Sequence, residues 1–341
     1  MTTVLIDGSK GEGGGQILRT SLALACITGR PLRIENIRAA RRNPGLAKQH
    51  LVCVRAACEI SGARCKGDAL GSQVLDFQPG PVRSGDFHFD IGSAGSASLV
   101  VQTVLPALFA AGKPSSIIVT GGTHNPWAPP FDFLSEAFLP AIAAAGFSAK
   151  CRLIKHGFYP AGGGKMTLSI EPRGQSAPPI DLCRSSDEYE IRARIYTAKL
   201  PPEIARRQEK LLSDSPLDIT DIEHIDASDS DGPGNCVMIR LLAGRRTTVF
   251  TAFGEKGKPS QKVVGEVVNL ARDFINGGAA VDRFLADQLL IYMAVSNAGA
   301  FTTSELSNHL KTNIEVIKQF LPVEFESIEQ ARQYHVSCRA Q

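Results

Sequence analysis

The sequence lacks several patterns that would assign it to a common class of protein. None of its eight cysteines belongs to a C-x-x-C pair, which argues against a zinc ribbon or a redox dithiol. Its most apolar long run, "LVVQTVLPALFAA", is too short to cross a bilayer. The start, "MTTVLIDGSK", places Asp7 where a signal peptide would be apolar. These absences predict a cytosolic chain with reduced thiols and no membrane contact.

Length and composition predict a globular protein with more than one folding unit. A chain of 341 residues is too long to fold around a single ordinary hydrophobic core. A composition of 43% hydrophobic and 21% charged residues is typical of soluble globular proteins. The net charge of +3 is small, so a polyanionic partner would have to meet a local basic patch. Residues 30–50 carry only one acid, Glu35, against six basic residues: Arg30, Arg33, Arg38, Arg41, Arg42 and Lys48. Arginine-rich segments of this kind bind phosphate or nucleic-acid backbones, although a solvated surface is the alternative.

Glycines mark an internal repeat. The loop "GEGGG" precedes an apolar helix and the strand "LRIENI", and "GSAGSAS" precedes a second apolar helix and the strand "SSIIVTG". In each copy a further helix follows and ends at a glycine, Gly62 and Gly146 respectively. The equivalent glycines Gly29 and Gly112 lie 83 residues apart, and a fixed period of this kind indicates repeated structural units.

A third copy is predicted near the C-terminus, with the helix "VDRFLADQLLIYMAVSN", the turn "AGAF", the segment "NIEVIKQFL" and the strand "VEFESIEQ". Its distance from the second copy exceeds the period by about a hundred residues, which we interpret as an inserted domain. We therefore predict an α/β (α+β) fold. A large domain of three repeats would comprise residues 1–183 and 278–341, and a smaller inserted α/β domain would comprise residues 184–277.

Isolated polar residues provide candidates for chemistry. Glu12 lies in a glycine loop that leads into a helix, and such junctions suit phosphate; a carboxylate there would be explained by a divalent cation. A plain tight turn is the alternative, because the loop matches neither the P-loop nor the G-x-G-x-x-G pattern. Asp287 is the only acid between Leu285 and Met293, and Gln102 has the matching place in the second copy. Such residues are usually hydrogen-bonded or functional, unless they face solvent.

The number of histidines does not indicate which of them is catalytic, because the seven are scattered along the chain. In "SNHLKTNIEVIKQFL", Thr312 and Glu315 match a T-x-x-E capping box, which predicts a helix beginning near Asn313. His309 would then precede that helix, close to an N-terminus that favours phosphate. Local evidence alone favours a structural role for His309.

Seven motifs taken together closely resemble the RNA 3′-terminal phosphate cyclase family, in order along nearly the whole chain. They are "DGSKGEGGGQILR", "IRAARRNPGLAKQHL", "GSAGSASLVVQTVLPAL", "GGTHNPWAPPFDF", "HGFYPAGGGK", "FLADQLL" and "SNHLKTN". The resemblance implies three repeated units of two helices on a four-stranded sheet, related to the EPSP synthase type, with a smaller inserted α/β domain.

The resemblance also implies a reaction. Such enzymes use ATP and a divalent metal, Mg²⁺ or Mn²⁺, to convert an RNA 3′-phosphate into a 2′,3′-cyclic phosphodiester. A histidine first takes AMP from ATP and releases pyrophosphate, and the adenylate then passes to the RNA 3′-phosphate. Attack by the 2′-hydroxyl closes the ring and releases AMP. The expected partners are ATP and RNA with a 3′-phosphate end, and a second copy of the chain is a further candidate.

By resemblance, His309 is the nucleophile, and Glu12, Gln102 and Asp287 are the metal-site residues. The nucleotide site would comprise Gln102, which also contacts ATP, and three further sets: the helical segment Phe284, Leu285, Ala286, Asp287 and Gln288; the phosphate-contacting Arg19, Arg38, Arg41 and Gln49; and the adenine pocket of Pro129, Phe133 and Phe253. Phe284 stands where relatives can have a tyrosine, so no hydroxyl contact is expected there. Two alternatives are a non-catalytic cyclase-like ribosome-assembly factor, against which His309 argues, and an EPSP synthase-like enzyme, which does not predict the match at His309.

Overall fold

The computed structural model describes residues 2–174, 177–186 and 188–341. The predicted domain ranges also include Met1, Gln175, Ser176 and Asp187, which lie outside the described residues. Within the described part of the chain, sixteen strands form four sheets of four strands each. In the same part, no helix combines the length and the apolar character needed to span a bilayer.

The first unit contains two helices and a four-stranded sheet. Its elements are β1 (Val4–Asp7), α1 (Gly15–Thr28), β2 (Leu32–Glu35), α2 (Lys48–Ser61), β3 (Arg64–Lys66) and β4 (Leu75–Gln78). The sheet order is β1-β2-β4-β3, with β1 and β2 parallel and the other pairs antiparallel. Both helices end at the predicted glycines, Gly29 and Gly62, which adopt left-handed backbone angles with φ of 68° and 59°.

The second unit repeats this topology. Its elements are β5 (Asp86–Asp90), α3 (Ala97–Phe109), β6 (Ser115–Gly121), a π-helical turn (Phe133–Phe138), α4 (Leu139–Ala143), β7 (Ala149–Lys155) and β8 (Gly164–Ile170). The sheet order is β5-β6-β8-β7, again with the first pair parallel. The segment predicted as one second helix is therefore partly π-helical.

The third sheet is interrupted in sequence. Its first strand, β9 (Ile180–Leu182), is followed by the elements β10 (Glu190–Ala198), α5 (Pro202–Ser213), β11 (Ile219–Asp226), β12 (Gly234–Ala243), β13 (Arg246–Phe253) and α6 (Ser260–Gly277). These form a sheet of their own with order β11-β10-β12-β13, and α5 and α6 cover one of its faces. The elements lie close to the segments predicted for the inserted region, while its separation as a domain stays a prediction.

The third unit is completed by α7 (Arg283–Val295), β14 (Ala298–Thr303), α8 (Asn308–Phe320), β15 (Val323–Gln330) and β16 (Gln333–Ala340). The sheet order is β15-β16-β14-β9. The predicted turn "AGAF" is wrong: these residues belong to β14, which pairs with both β9 and β16. Pairing on both sides and complete burial of Phe301 favour the strand over a turn at this place.

Helices from the three units pack together in the centre. Helix α1 contacts α2, α3 and α8, and α7 contacts α8. The sequence of α3 explains its position, because a helix that is apolar on all sides must be enclosed, and in α3 all residues but Gln102 are buried. The predicted α/β class with repeated two-helix, four-stranded units is thereby confirmed.

A buried polar cluster joins the inserted sheet to the second unit. Asp132 Oδ1 accepts hydrogen bonds from the Tyr196 hydroxyl at 2.6 Å and from Arg194 Nη1 at 3.1 Å. Its Oδ2 lies 3.0 Å from His124 Nε2, and Arg194 also pairs with Glu136 at 2.5 Å. Burial alone would raise the pKa of Asp132, but the bond and charge of His124, together with Tyr196 and Arg194, lower it to about 2.

Candidate active site

A cleft of about 740 Å³ lies at the meeting point of the central helices. Most of the predicted site residues line it: Glu12, Arg19, Arg38, Arg41, Gln49, Gln102, Pro129, Phe133, Phe284, Asp287, Gln288 and His309. Three predicted residues do not. Leu285 and Ala286 are buried in the helical core, and Phe253 lies on the wall of a neighbouring groove.

His309 lies inside α8, not ahead of it as the capping box predicts. The helix begins at Asn308, and the Ser307 side chain caps it by accepting a hydrogen bond from Leu310 N at 3.1 Å. Thr312 is unavailable as a cap, because its hydroxyl donates to Asn308 O at 2.6 Å and accepts from Glu12 N at 3.0 Å. His309 is thus in the first helical turn, where its exposed side chain projects into the cleft.

Gln16 links His309 to Asp287. Its side-chain Oε1 is hydrogen-bonded to His309 Nδ1, and its Nε2 donates to Asp287 Oδ2 at 3.3 Å. Because an amide oxygen only accepts, this bond requires a proton on Nδ1 in the neutral imidazole. The Nε2 atom of His309 then carries the lone pair, and no residue in the described part of the chain is hydrogen-bonded to it.

Asp287 is buried deeply for a carboxyl group. Burial raises its pKa to about 7, the Gln16 hydrogen bond opposes this, and the nearby Asp282 and Glu12 reinforce it. Asp287 Oδ1 is buried without a hydrogen-bond partner among the described atoms. Its backbone carbonyl accepts from Asn313 Nδ2 at 2.9 Å, which ties α7 to α8. A buried carboxyl group with a perturbed pKa in a cleft is characteristic of functional sites.

Arginines give the cleft a positive potential. Arg41 Nη2 pairs with Glu12 Oε2 at 2.8 Å and also donates to the Glu12 carbonyl at 3.0 Å. Arg38 is anchored by Gly45 O at 2.7 Å, while burial lowers the pKa of Arg19. Burial, Arg19 and Arg38 together lower the pKa of His50 to about 3, so this imidazole is neutral. The charge of the site near pH 7 thus comes from guanidinium groups, which suit bidentate phosphate contacts.

Close approach of backbone explains the glycines in the first loop. A Cβ on Gly11, whose φ is +59°, would lie 2.2 Å from Thr312 Oγ1. A Cβ on Gly15 would lie 2.4 Å from His50 Nε2. Glycine therefore lets the loop reach α8 on one side and α2 on the other.

Most of the chain matches the sequence profile of one protein family. A profile described as "RNA 3'-terminal phosphate cyclase" matches residues 10–327. The chain belongs to this family. The predicted membership is confirmed, and relatives of this cyclase family resemble the chain over nearly its full length.

Three similar proteins carry the name "RNA 3'-terminal phosphate cyclase". The protein from Ralstonia nicotianae is 46% identical over 93% of this chain and 91% of its own length. The protein from Koribacter versatilis is 46% identical over 97% and 93%, respectively. The protein from Pseudomonas fluorescens is 43% identical over 99% and 98%.

Sequence reasoning missed three residues of this cyclase-family site: Gln16, His50 and Asn313. Gln16 is a buried polar residue in the mainly apolar helix α1, the same signal that selected Gln102 and Asp287, whereas Asn313 is buried on one side of the amphipathic helix α8. That signal would have marked Gln16 as a candidate, but it would not have distinguished Asn313 from the other polar residues of α8. Gln102 itself is hydrogen-bonded through Nε2 to Gln288 Oε1, and Gln49 Oε1 accepts from Ser96 N at 2.7 Å. Gln49 thereby holds the second glycine loop against the first unit.

The cleft residues provide few free oxygen ligands for a divalent cation. Asp287 offers a buried, unpartnered oxygen, whereas both Glu12 oxygens are engaged, by Gln16 N at 3.2 Å and by Arg41. No cluster of three or more His, Cys, Asp or Glu ligands occurs among the described residues. This donor set resembles that of Mg²⁺ sites, in which one or two carboxylates act together with substrate phosphates.

Proposed function

We propose that the protein is an ATP-dependent RNA 3′-terminal phosphate cyclase that works through adenylated His309. The observation that carries this proposal is the pairing of His309 Nδ1 with Gln16 Oε1. It leaves Nε2 unprotonated in a cleft with Arg19, Arg38 and Arg41, where a phosphate chain would be held.

The first step is transfer of AMP to the enzyme. The Nε2 lone pair of His309 attacks the α-phosphorus of ATP, and the bond to the bridging oxygen breaks to release pyrophosphate. Nδ1 keeps its proton throughout and donates it in a hydrogen bond to Gln16 Oε1, so the adenylated imidazole ring becomes cationic and is a good leaving group. The arginines neutralise negative charge on the reacting phosphates.

The second and third steps complete the cyclisation. An oxygen of the RNA 3′-phosphate attacks the adenylate phosphorus, the N–P bond breaks and neutral His309 is regenerated. The 2′-hydroxyl oxygen of the same ribose then attacks the 3′-phosphorus, loses its proton and displaces AMP. The products are the 2′,3′-cyclic phosphodiester, AMP and pyrophosphate.

Asp287, together with Glu12 and Gln102 of the same cleft, would hold a divalent cation, Mg²⁺ or Mn²⁺. When bound, such a cation supplies positive charge to phosphate oxygens. A cation would also favour the ionised form of Asp287, whose pKa burial raises to about 7. The role of Glu12 further depends on Arg41, which must share its carboxylate with the cation or release it. Homodimerisation remains a prediction.

The decisive experiment is incubation with ATP labelled at the α-phosphate, with divalent metal and without RNA. Wild-type protein should acquire an acid-labile label, and His309→Ala should lose it by ~10³-fold or more. His224→Ala is the matched control, because His224 is an exposed histidine of the inserted sheet. An unlabelled wild type, or equal labelling of His309→Ala, would contradict the proposal and favour a non-catalytic cyclase-like factor.

A further inference from the structure

A second groove, of about 890 Å³, lies beside the His309 cleft. One wall comes from the second unit, with Trp127 and Tyr159, and the other from the inserted region, with α5 and residues 254–260. Pro126 and Trp127 line both cavities, so the groove continues from the cleft. Nothing in the proposed chemistry of His309 uses its far end.

Two large aromatic side chains are exposed where the groove meets the cleft. Trp127 is 79% exposed and Tyr159 is 57% exposed, although such side chains normally lose their apolar surface on folding. Their rings are arranged edge to face with centroids 6.0 Å apart. Exposed aromatic rings along a groove are the platforms on which proteins stack the bases of single-stranded nucleic acids.

The opposite wall supplies positive charge. Arg207 of α5 and Lys256 are both exposed, and neither forms an ion pair with any other described residue. Lys258, by contrast, is neutralised by Glu266 at 2.6 Å, and the exposed Glu255 is an opposing charge. Arg207 and Lys256 lie on the wall opposite Trp127 and Tyr159. This arrangement suits a single-stranded nucleic acid, whose bases would stack on the aromatic wall while its phosphates contact the basic wall.

We propose that this groove binds the nucleotides that precede the 3′-terminal phosphate of a single-stranded RNA end. The inference rests on the proposed function, because it requires the RNA terminus to reach His309. From there the strand leaves the cleft past Trp127, stacks bases on Trp127 and Tyr159, and places backbone phosphates near Arg207 and Lys256. A duplex end would not fit this arrangement, since its bases already stack on one another.

Trp127 is the only tryptophan of the chain, so its fluorescence reports on the junction directly. A 3′-phosphorylated single-stranded octanucleotide should quench the emission more strongly than a 3′-phosphorylated dinucleotide, which is too short to pass the junction. Equal quenching by both would contradict the proposal. Both titrations are done without ATP, because Trp127 also lines the His309 cleft.

Cyclisation kinetics test two residues that line the groove but not the His309 cleft, Tyr159 and Arg207. For wild type, KM should fall by about tenfold or more from the dinucleotide to the octanucleotide. In Tyr159→Ala and in Arg207→Ala this advantage of the longer substrate should shrink to less than about threefold. Arg206→Ala is the matched control, because Arg206 neighbours Arg207 on α5 but lies outside the groove and pairs with Glu203. Thermal melting establishes that each variant is folded.

The outcomes separate the two proposals. Absence of labelling and cyclisation in wild type overturns the function itself. A wild type that cyclises with the same KM for both lengths overturns the groove proposal alone, and a protein partner would then be the better occupant. A length effect that survives unchanged in Tyr159→Ala and Arg207→Ala also overturns it.

Discussion

At the scale of single residues, the proposed chemistry depends on the orientation of one imidazole, that of His309. Gln16 accepts from His309 Nδ1 with its oxygen and donates to Asp287 with its nitrogen. The two bonds fix the direction of the amide, because a carboxylate oxygen accepts the hydrogen bond from its NH₂ group. Gln16 therefore acts as a positioning residue that sets the tautomer of His309 and restrains its ring.

Replacement of Gln16 tests this role. Gln16→Ala should lower the rate of His309 adenylation by roughly 10–100-fold, because Nδ1 loses the acceptor that holds its proton. The KM for ATP should change less than threefold, since the arginines that would hold the phosphates are untouched. Single-turnover labelling at several ATP concentrations separates the two constants. A large rise in KM with an unchanged maximal rate would instead assign Gln16 to ATP binding.

The residues found from the sequence differ from those missed in one physical respect. His309, Asp287, Glu12 and the arginines were proposed because ordered motifs across the whole chain resembled a known family. Gln16 was judged only as a mismatch to a glycine pattern. Its importance arises from contacts 271 and 293 residues away, with Asp287 and His309, and local spacing contains no information about such contacts.

At the scale of secondary structure, the start of α8 sets the position of His309, the proposed nucleophile. The Ser307 cap fixes the first turn, and Leu310, one turn from the cap, is buried in the core. His309 lies between these two anchors on the exposed side. The precision of its position therefore depends on an ordinary helix cap.

Removal of that cap should affect stability and catalysis together. Ser307→Ala should cost about 1 kcal/mol of unfolding free energy, because Leu310 N loses its acceptor. His309 adenylation should slow as the first turn frays. Ser307→Thr keeps a capping oxygen and should retain most of both properties. Denaturant unfolding and labelling of the two variants provide the measurement, and equal behaviour of Ser307→Ala and Ser307→Thr would argue against the cap.

The two errors in predicted elements have a common cause. Thr312 and Glu315 match the capping box, but the Thr312 hydroxyl is bonded to Asn308 O and to the glycine loop of another unit. "AGAF" has turn composition, but β9 and β16 pair with it from both sides. In both cases a tertiary partner, distant in sequence, overrides a local preference. The helix ends at Gly29 and Gly62 were predictable because their left-handed conformation is decided locally.

At the scale of the whole molecule, the Asp132 cluster holds the inserted sheet on the second unit. Tyr196 and Arg194 come from the inserted sheet, while His124 and Asp132 come from the loop that leads into the π-helical turn. Trp127 and Pro129 lie within the same loop and line the His309 cleft. Loss of the cluster would therefore change the position of this loop and, with it, the cleft wall formed by Trp127 and Pro129.

Acid should weaken the contact between the inserted sheet and the second unit over a defined pH range. The folded pKa of Asp132, about 2, lies below its ordinary value of 3.8, so its ionisation stabilises the fold above pH 3.8. That contribution, about 2 kcal/mol, should disappear as the pH falls from 3.8 to 2. Asp132→Asn should be less stable than wild type at pH 6, with the difference shrinking across this interval. Unfolding curves at several pH values measure it, and a constant difference would contradict the assignment.

The split third sheet has a consequence for how the protein is made. Strand β9 is synthesised early, yet its partner β14 follows 119 residues later, as the pairing of Ile180 with Gly299 shows. The first and second units contain all their strands and helices before residue 171, so each can close while translation continues. His309, the proposed nucleophile, follows β14 in the chain. The proposed active site can therefore form only after both β14 and α8 have been synthesised and β14 has paired with β9.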